Sequence, residues 1–213
     1  EFICTDITDT SLTFVLKSSE ETLKVYPFAF ALKITYTLKE HDLDVCWEVV
    51  NKDSETMYFT IGGHPAFRVP VREGESQSDY RLTFEGQDAL TYLLIDTSVG
   101  TVVADEPHTL SLENGTCAID AHMFDKDALV FDNGQIQKAG ILFPDGTPYL
   151  TLTSEGFPNF GIWSVPGAPF VCLEPWMGRC DDCGFEKPLS EKANINVLKP
   201  DEEFIKSYQI TVH

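Results

Sequence analysis

The segment Asp42–Asn51, DLDVCWEVVN, sets Leu43, Val45, Trp47 and Val49 at every second position. A period of two marks a strand with one face buried, because successive side chains point to opposite sides. β-type runs recur along the whole chain. They are Thr10–Leu16, Phe28–Leu38, Thr56–Ile61, Tyr80–Phe84, Leu90–Ile95, Ala128–Asn133 and Gly140–Phe143. Tyr149–Ser154, Phe160–Ser164, Phe170–Leu173, Asn194–Leu198 and Phe204–Val212 follow. Glu113-Asn-Gly, Asp132-Asn-Gly and Pro144-Asp-Gly punctuate them with strong turn formers. The short Glu40-His41-Asp42 link predicts an antiparallel hairpin from the two runs around it. No window sustains a helical period, although the least clear interval, Glu113–Ala128, leaves room for a short helix around Cys117–Phe124. Val69–Ser78 is polar and Glu-rich, and reads as a surface loop. The expectation is one all-β domain over residues 1–213, a large antiparallel β-sandwich of two sheets, closed by a last strand within Glu203–His213.

Charge narrows the function. Thirty-four Asp+Glu against 15 Lys+Arg give a net charge of −19. Such a chain repels phosphate backbones and anionic headgroups, so nucleic acid and membrane are poor partners. Phosphorylated substrates are disfavoured too, and a neutral small molecule fits best. No stretch approaches the roughly 20 apolar residues of a membrane span. The 6 cysteines are expected as free thiols in a reducing cytoplasm, since a chain of this length needs no disulfides. Cys180-Asp-Asp-Cys183 has no second ligand pair at zinc-finger spacing, so no metal is expected there. Monomer and homodimer are both compatible with the composition. The chain opens at Glu1 without Met, as if already inside a strand, which suggests that leading strands lie upstream.

Two segments carry chemistry. In Ile61-Gly-Gly-His64-Pro-Ala-Phe67 the glycines permit close backbone approach, and Pro65 stiffens the peptide after an imidazole. Such a His is well presented as a proton donor near neutral pH, or is a hydrogen-bonded turn residue. In Phe170-Val-Cys-Leu-Glu174-Pro-Trp176 an apolar run ends in a carboxylate followed by an aromatic. Desolvation there raises carboxylate basicity, and Trp176 offers a flat face to the C–H side of a sugar ring or packs in the core.

Together, GGHPAF (62–67) and CLEPWMG (172–178) resemble the two signature segments of the aldose 1-epimerase, or galactose mutarotase, family, in particular its less characterised bacterial branch. Thr35–Asn51, Phe157–Ser164 and Leu198–Tyr208 extend the resemblance over essentially the whole chain. It implies a galactose mutarotase-like supersandwich and interconversion of the α and β anomers of a free aldose, without cofactor or metal. Glu174 then matches the general base and His64 the general acid. Asp127 is the best match for an Asp that binds sugar hydroxyls, with Asp125 competing. Phe67 and Trp176 are candidate pocket residues, Phe67 alternatively filling the core. Mutual attraction is expected to lower the Glu174 pKa and raise that of His64, giving a bell-shaped rate profile. The family also places a His and an Arg in its N-terminal part. No counterpart is found, as Arg68, Arg72, Arg81 and Arg179 stand in other contexts, and substrate positioning is therefore expected to suffer. A hexose-6-phosphate epimerase is the near alternative and would need a basic cluster. A sugar-binding protein without turnover, and an interaction protein without sugar binding, are the others.

Overall fold

The computed structural model describes residues 1–213. The strands in chain order are β1 Ile3–Ile7, β2 Ser11–Lys17, β3 Phe30–Lys39, β4 Asp42–Asn51, β5 Met57–Phe59, β6 Ile61–Gly62 and β7 Ala66–Arg68. Next come β8 Arg81–Phe84, β9 Ala89–Tyr92, β10 Ile95–Asp96, β11 Thr101–Val102, β12 His108–Ser111, β13 Thr116–Ala118 and β14 Leu129–Phe131. The last are β15 Lys138–Leu142, β16 Pro148–Thr153, β17 Asn159–Trp163, β18 Phe170–Met177, β19 Asn196–Leu198 and β20 Glu203–Val212.

Period-two patterning becomes burial. In β4 Val45, Trp47 and Val49 are buried while their neighbours are half-exposed. β3 and β4 pair in register from Phe30 opposite Asn51 to Lys39 opposite Asp42, so the hairpin forms where the Glu40-His41 link predicts it. A 9-stranded sheet runs in the order β1-β2-β3-β4-β20-β16-β15-β8-β13. β20 lies inside this sheet between β4 and β16, joining its two halves. A 5-stranded sheet runs β14-β17-β18-β6, with β7 also paired to β18. Both are antiparallel and pack face to face as a sandwich, the expected all-β architecture.

The main core lies between the sheets. Trp47, Leu82, Leu152 and Tyr208 enter it from the large sheet; Phe131, Phe160, Ile162 and Leu173 enter from the small one. Trp47 meets Phe157 and Tyr208 edge to face at 5.9 and 5.5 Å. Each such side chain contributes roughly 1.5–3 kcal/mol by leaving water, so the small sheet is firmly backed on its inner side. Its outer side is covered in part by the segment that carries Leu93 and Val102. There Leu93, Val102 and Val130 form a separate buried cluster with Trp176 against it.

Three expectations change. The interval Glu113–Ala128 holds no helix: β13 is followed by turns in which Asp120, His122 and Phe124 each accept an N–H from three residues on. Isolated i→i+3 bonds close turns rather than propagate a helix. One helical turn does form, Glu20–Leu23, where Ser19 and Thr22 make a reciprocal capping box. The run Phe170–Leu173 continues to Met177 through Pro175. The Pro175 carbonyl accepts the Gly63 N–H at 3.0 Å, so the side of Pro175 that lacks an N–H faces the Gly63–Pro65 segment, where the ladder is interrupted. No helix is long and apolar enough to cross a membrane.

Candidate active site

Alternation along β18 decides which of its side chains face the outer loops. Val171 and Leu173 join the core between the sheets, so Cys172, Glu174 and Trp176 project from the opposite face. On one side β18 pairs with β17, and Gly161 stands opposite Glu174. On its other side Trp176 stands opposite Gly62 and Cys172 opposite Ala66. These two pairings keep one register across the gap, which sets His64 opposite Glu174. The signature glycines and proline thus have a structural purpose: they end one short strand, present the His, and start the next.

The His64 Nδ1 lies 3.4 Å from the Glu174 Oε1. The two environments differ sharply, with 58% of the His64 side chain exposed and 5% of that of Glu174. Burial pushes the Glu174 carboxyl up to about 7, assisted by the nearby charge of Asp127, while a hydrogen bond from Trp176 pulls the other way. The expected depression of this pKa by His64 is therefore overturned. Desolvation of a carboxylate inside a covered sheet face outweighs attraction to an imidazole that is itself mostly in water.

Trp176 lies across the sheet with its indole over two glycines. A Cβ at Gly161 would sit 2.3 Å from Cζ2 of the ring, and one at Gly62 2.5 Å from Cδ1. The indole is half-buried against the Leu93–Val102–Val130 cluster. Trp176 is thus a packed neighbour on the Glu174 face rather than an open stacking face. Another indole lies beside the pair. Trp163, opposite Cys172 on β17, meets His64 edge to face at 5.6 Å.

A cleft of about 680 Å³ opens beside Trp163 and Asp127. Trp163, whose ring meets that of His64, and Asp127, whose charge reaches Glu174, line it together with Phe124, His108 and Glu106, while His64 and Glu174 themselves do not. Asp127 adopts φ 73°, a left-handed conformation that Asp tolerates, and its Oδ1 accepts the Ala128 N–H at 2.7 Å. Asp125 also lines the cleft, but its carboxylate is held by the His122 ring at 2.8 Å. Of the two, Asp127 is the one whose charge reaches Glu174. Phe67 does not join the group. It stands opposite Val171 and packs against the central core, because it occupies the odd register of β7.

Several neighbours escaped sequence reasoning. Cys172 is buried beside the pair, its thiol pushed up to about 12 by burial and by Glu174. His64, Cys172 and Glu174 bring a nitrogen, a sulfur and a carboxylate oxygen within 4.8 Å of one another. At the far end of the sheet face, Arg179 is 7% exposed and grips both Asp132 oxygens at 2.8–3.1 Å, with Asp182 at 2.8 Å. Asn159, opposite Trp176, donates to the same Asp132 at 2.7 Å. Period-two counting outward from Glu174 gives Cys172, but the Arg179–Asp132 pair joins residues distant in sequence and leaves no local signal. All six cysteines are free, Cys183 meeting Thr101 at 3.0 Å.

The family model of aldose 1-epimerase matches residues 2–210. The chain is 30% identical to protein LacX (plasmid) of Lactococcus lactis subsp. lactis over 215 residues, covering 100% of this chain and 72% of that protein. Its fold is similar to the galactose mutarotase related enzyme from Lactobacillus acidophilus, with TM-score 0.90 and 30% identity over 100% of this chain and 71% of that one. A galactose mutarotase-like protein from Lactobacillus casei follows at TM-score 0.87 and 28% identity, over 100% of this chain and 73% of that one.

Proposed function

Since the chain belongs to the aldose 1-epimerase family, we propose that it interconverts the α and β anomers of a free hexose, with Glu174 as general base and His64 as general acid. The observation that carries this reading is the pairing of a buried, basic carboxylate with a solvent-facing imidazole at 3.4 Å, next to Trp163 and Asp127, which line a sugar-sized cleft. A pyranose opens when the proton of its C1 hydroxyl passes to Glu174 while His64 protonates the ring oxygen. The C1–O5 bond breaks, C1 becomes an aldehyde, and rotation about C1–C2 exposes its other face. Ring closure returns both protons: His64 takes the one on O5, and Glu174 gives its own to the new C1 hydroxyl. Each partner contributes roughly 10²–10⁴-fold, most when its pKa lies near the working pH, as that of Glu174 does.

The surroundings support an uncharged substrate. Asp96, Glu106, Asp125 and Asp127 line the cleft against one lysine, Lys126. That setting opposes a sugar phosphate and suits hydroxyl groups, which donate to carboxylates. In this reading Asp127 holds such hydroxyls and Trp163 stacks on the sugar's C–H face, both residues lining the cleft. The test is polarimetry on freshly dissolved α-glucose and α-galactose. Rotation should relax faster in proportion to protein added. Saturable sugar binding without faster relaxation would instead identify a binding protein.

A further inference from the structure

We propose that His64, Cys172 and Glu174 form a binding site for a divalent cation of the zinc class, and that the bound cation switches off anomer exchange. The first part stands on the donor set. An imidazole nitrogen, a thiol sulfur and a carboxylate oxygen lie within 4.8 Å of one another. Tetrahedral zinc, with bonds of about 2.0–2.3 Å, holds its ligands roughly 3.3–3.7 Å apart. The His64–Glu174 edge already measures 3.4 Å. Only the edges to sulfur then need to adjust, by about an ångström at most.

The donors converge for a reason of backbone. Cys172 and Glu174 are two apart on β18 and share a face, and His64 is fixed opposite Glu174 by register. Two ligands are therefore preset by a strand, and the third stands on a three-residue link anchored by strands at both ends. Their chemistry selects the cation. Thiolate with imidazole prefers zinc-class ions over magnesium or calcium, which favour all-oxygen shells. Thiolate plus carboxylate carry two negative charges, so a divalent ion leaves the buried site formally neutral, and burial then penalises it least. Three protein ligands leave a fourth position toward the cleft for water or a sugar hydroxyl.

The second part rests on the functional reading above. The lone pairs that coordinate the ion are those that would carry the protons, so metal and turnover exclude each other. Cys172 takes no part in the proton transfers, and its removal separates the two properties.

The experiment uses the whole chain, stripped with chelator and titrated with Co²⁺. One equivalent should bind with intense visible bands of tetrahedral cobalt and a near-ultraviolet thiolate-to-cobalt band. The thiolate band should vanish in Cys172→Ser and Cys172→Ala and persist in Cys183→Ser. His64→Asn, at an exposed position that leaves the core intact, should weaken binding about 10-fold or more. One equivalent of Zn²⁺ should displace the cobalt and stop wild-type anomer exchange, with chelator restoring it. Cys172→Ala should keep its metal-free rate and need about 10²-fold more zinc for inhibition. No thiolate band, or a band lost in Cys183→Ser and kept in Cys172→Ser, would overturn the site. Cobalt binding with full activity under saturating zinc would overturn the switch. If the stripped wild-type protein leaves anomer exchange unchanged, the proposed function fails, and the cobalt spectra still decide the site.

Discussion

Glu174→Gln should stabilise the fold and abolish its chemistry, and pH separates the two effects. Burial raises the Glu174 carboxyl from 4.5 to about 7. Each unit corresponds to about 1.4 kcal/mol, so an ionised Glu174 costs the folded state roughly 3 kcal/mol. The sign follows from the raised value. Below about pH 4.5 the group is protonated in folded and unfolded chains alike, with no penalty. Between 4.5 and 7 the unfolded chain loses the proton first, and stability falls as pH rises. Glutamine is nearly the same shape, keeps an acceptor for the Trp176 N–H, and never ionises. The melting temperature of the variant should pull ahead of the wild type by an amount that grows with pH. From pH 5 to pH 8 the penalty grows by roughly 2–3 kcal/mol. For a chain of this size that is on the order of 5–10 °C. Mutarotation should fall by about 10² or more over the same range. The assay is calorimetry at both pH values, beside polarimetry, in chelator-treated buffer. A stability difference independent of pH would show that Glu174 is not the strained carboxylate described here. Near wild-type turnover would remove it from the mechanism.

Other substitutions probe the rest of the site. His64→Asn should lower kcat by about 10² while sugar affinity, read by titration calorimetry, changes only a few-fold; affinity lost with kcat retained would make His64 a positioning residue. Asp127→Asn removes a charge that raises the Glu174 pKa, so the acid limb of the rate profile should move to lower pH; an unmoved limb would uncouple the two carboxyls. Gly161→Ala puts a Cβ 2.3 Å from the Trp176 ring and should cost about 1–3 kcal/mol in denaturant unfolding, together with turnover; an unchanged midpoint would refute this packing.

The sandwich was legible because its strands are half-buried. Val45, Trp47 and Val49 announce β4 by alternation alone, and the short Glu40-His41-Asp42 link announces the β3–β4 hairpin. The short strands β10, β11 and β13 were not legible: two or three residues carry no period, and pairing alone defines them, β10 with its neighbour β11 and β13 with the distant β8. The Glu20–Leu23 turn depends on one reciprocal cap, too small a signal against a chain of strands. At the site, the motif pair His64 and Glu174 was readable, but their direct opposition was not, since it depends on the register of β6 and β7 on β18. Register also sends Phe67 to the core and brings Cys172 to the pair, one residue being the whole difference between the two faces. The direction of the Glu174 shift needed the covering loops, because sequence shows the neighbouring imidazole but not how dry the carboxylate is.

The most direct test of the Glu174–His64 pair is magnetisation transfer between the α and β H1 signals of a hexose at anomeric equilibrium. It needs no fresh anomer and reads both directions of exchange at once. Chelator-treated wild-type protein should transfer magnetisation at a rate proportional to its concentration, and the folded double variant His64→Asn, Glu174→Gln should leave only the solvent rate. Transfer by the double variant at the wild-type rate, or none by wild-type protein that binds the same hexose, would contradict the assignment of this pair to anomer exchange.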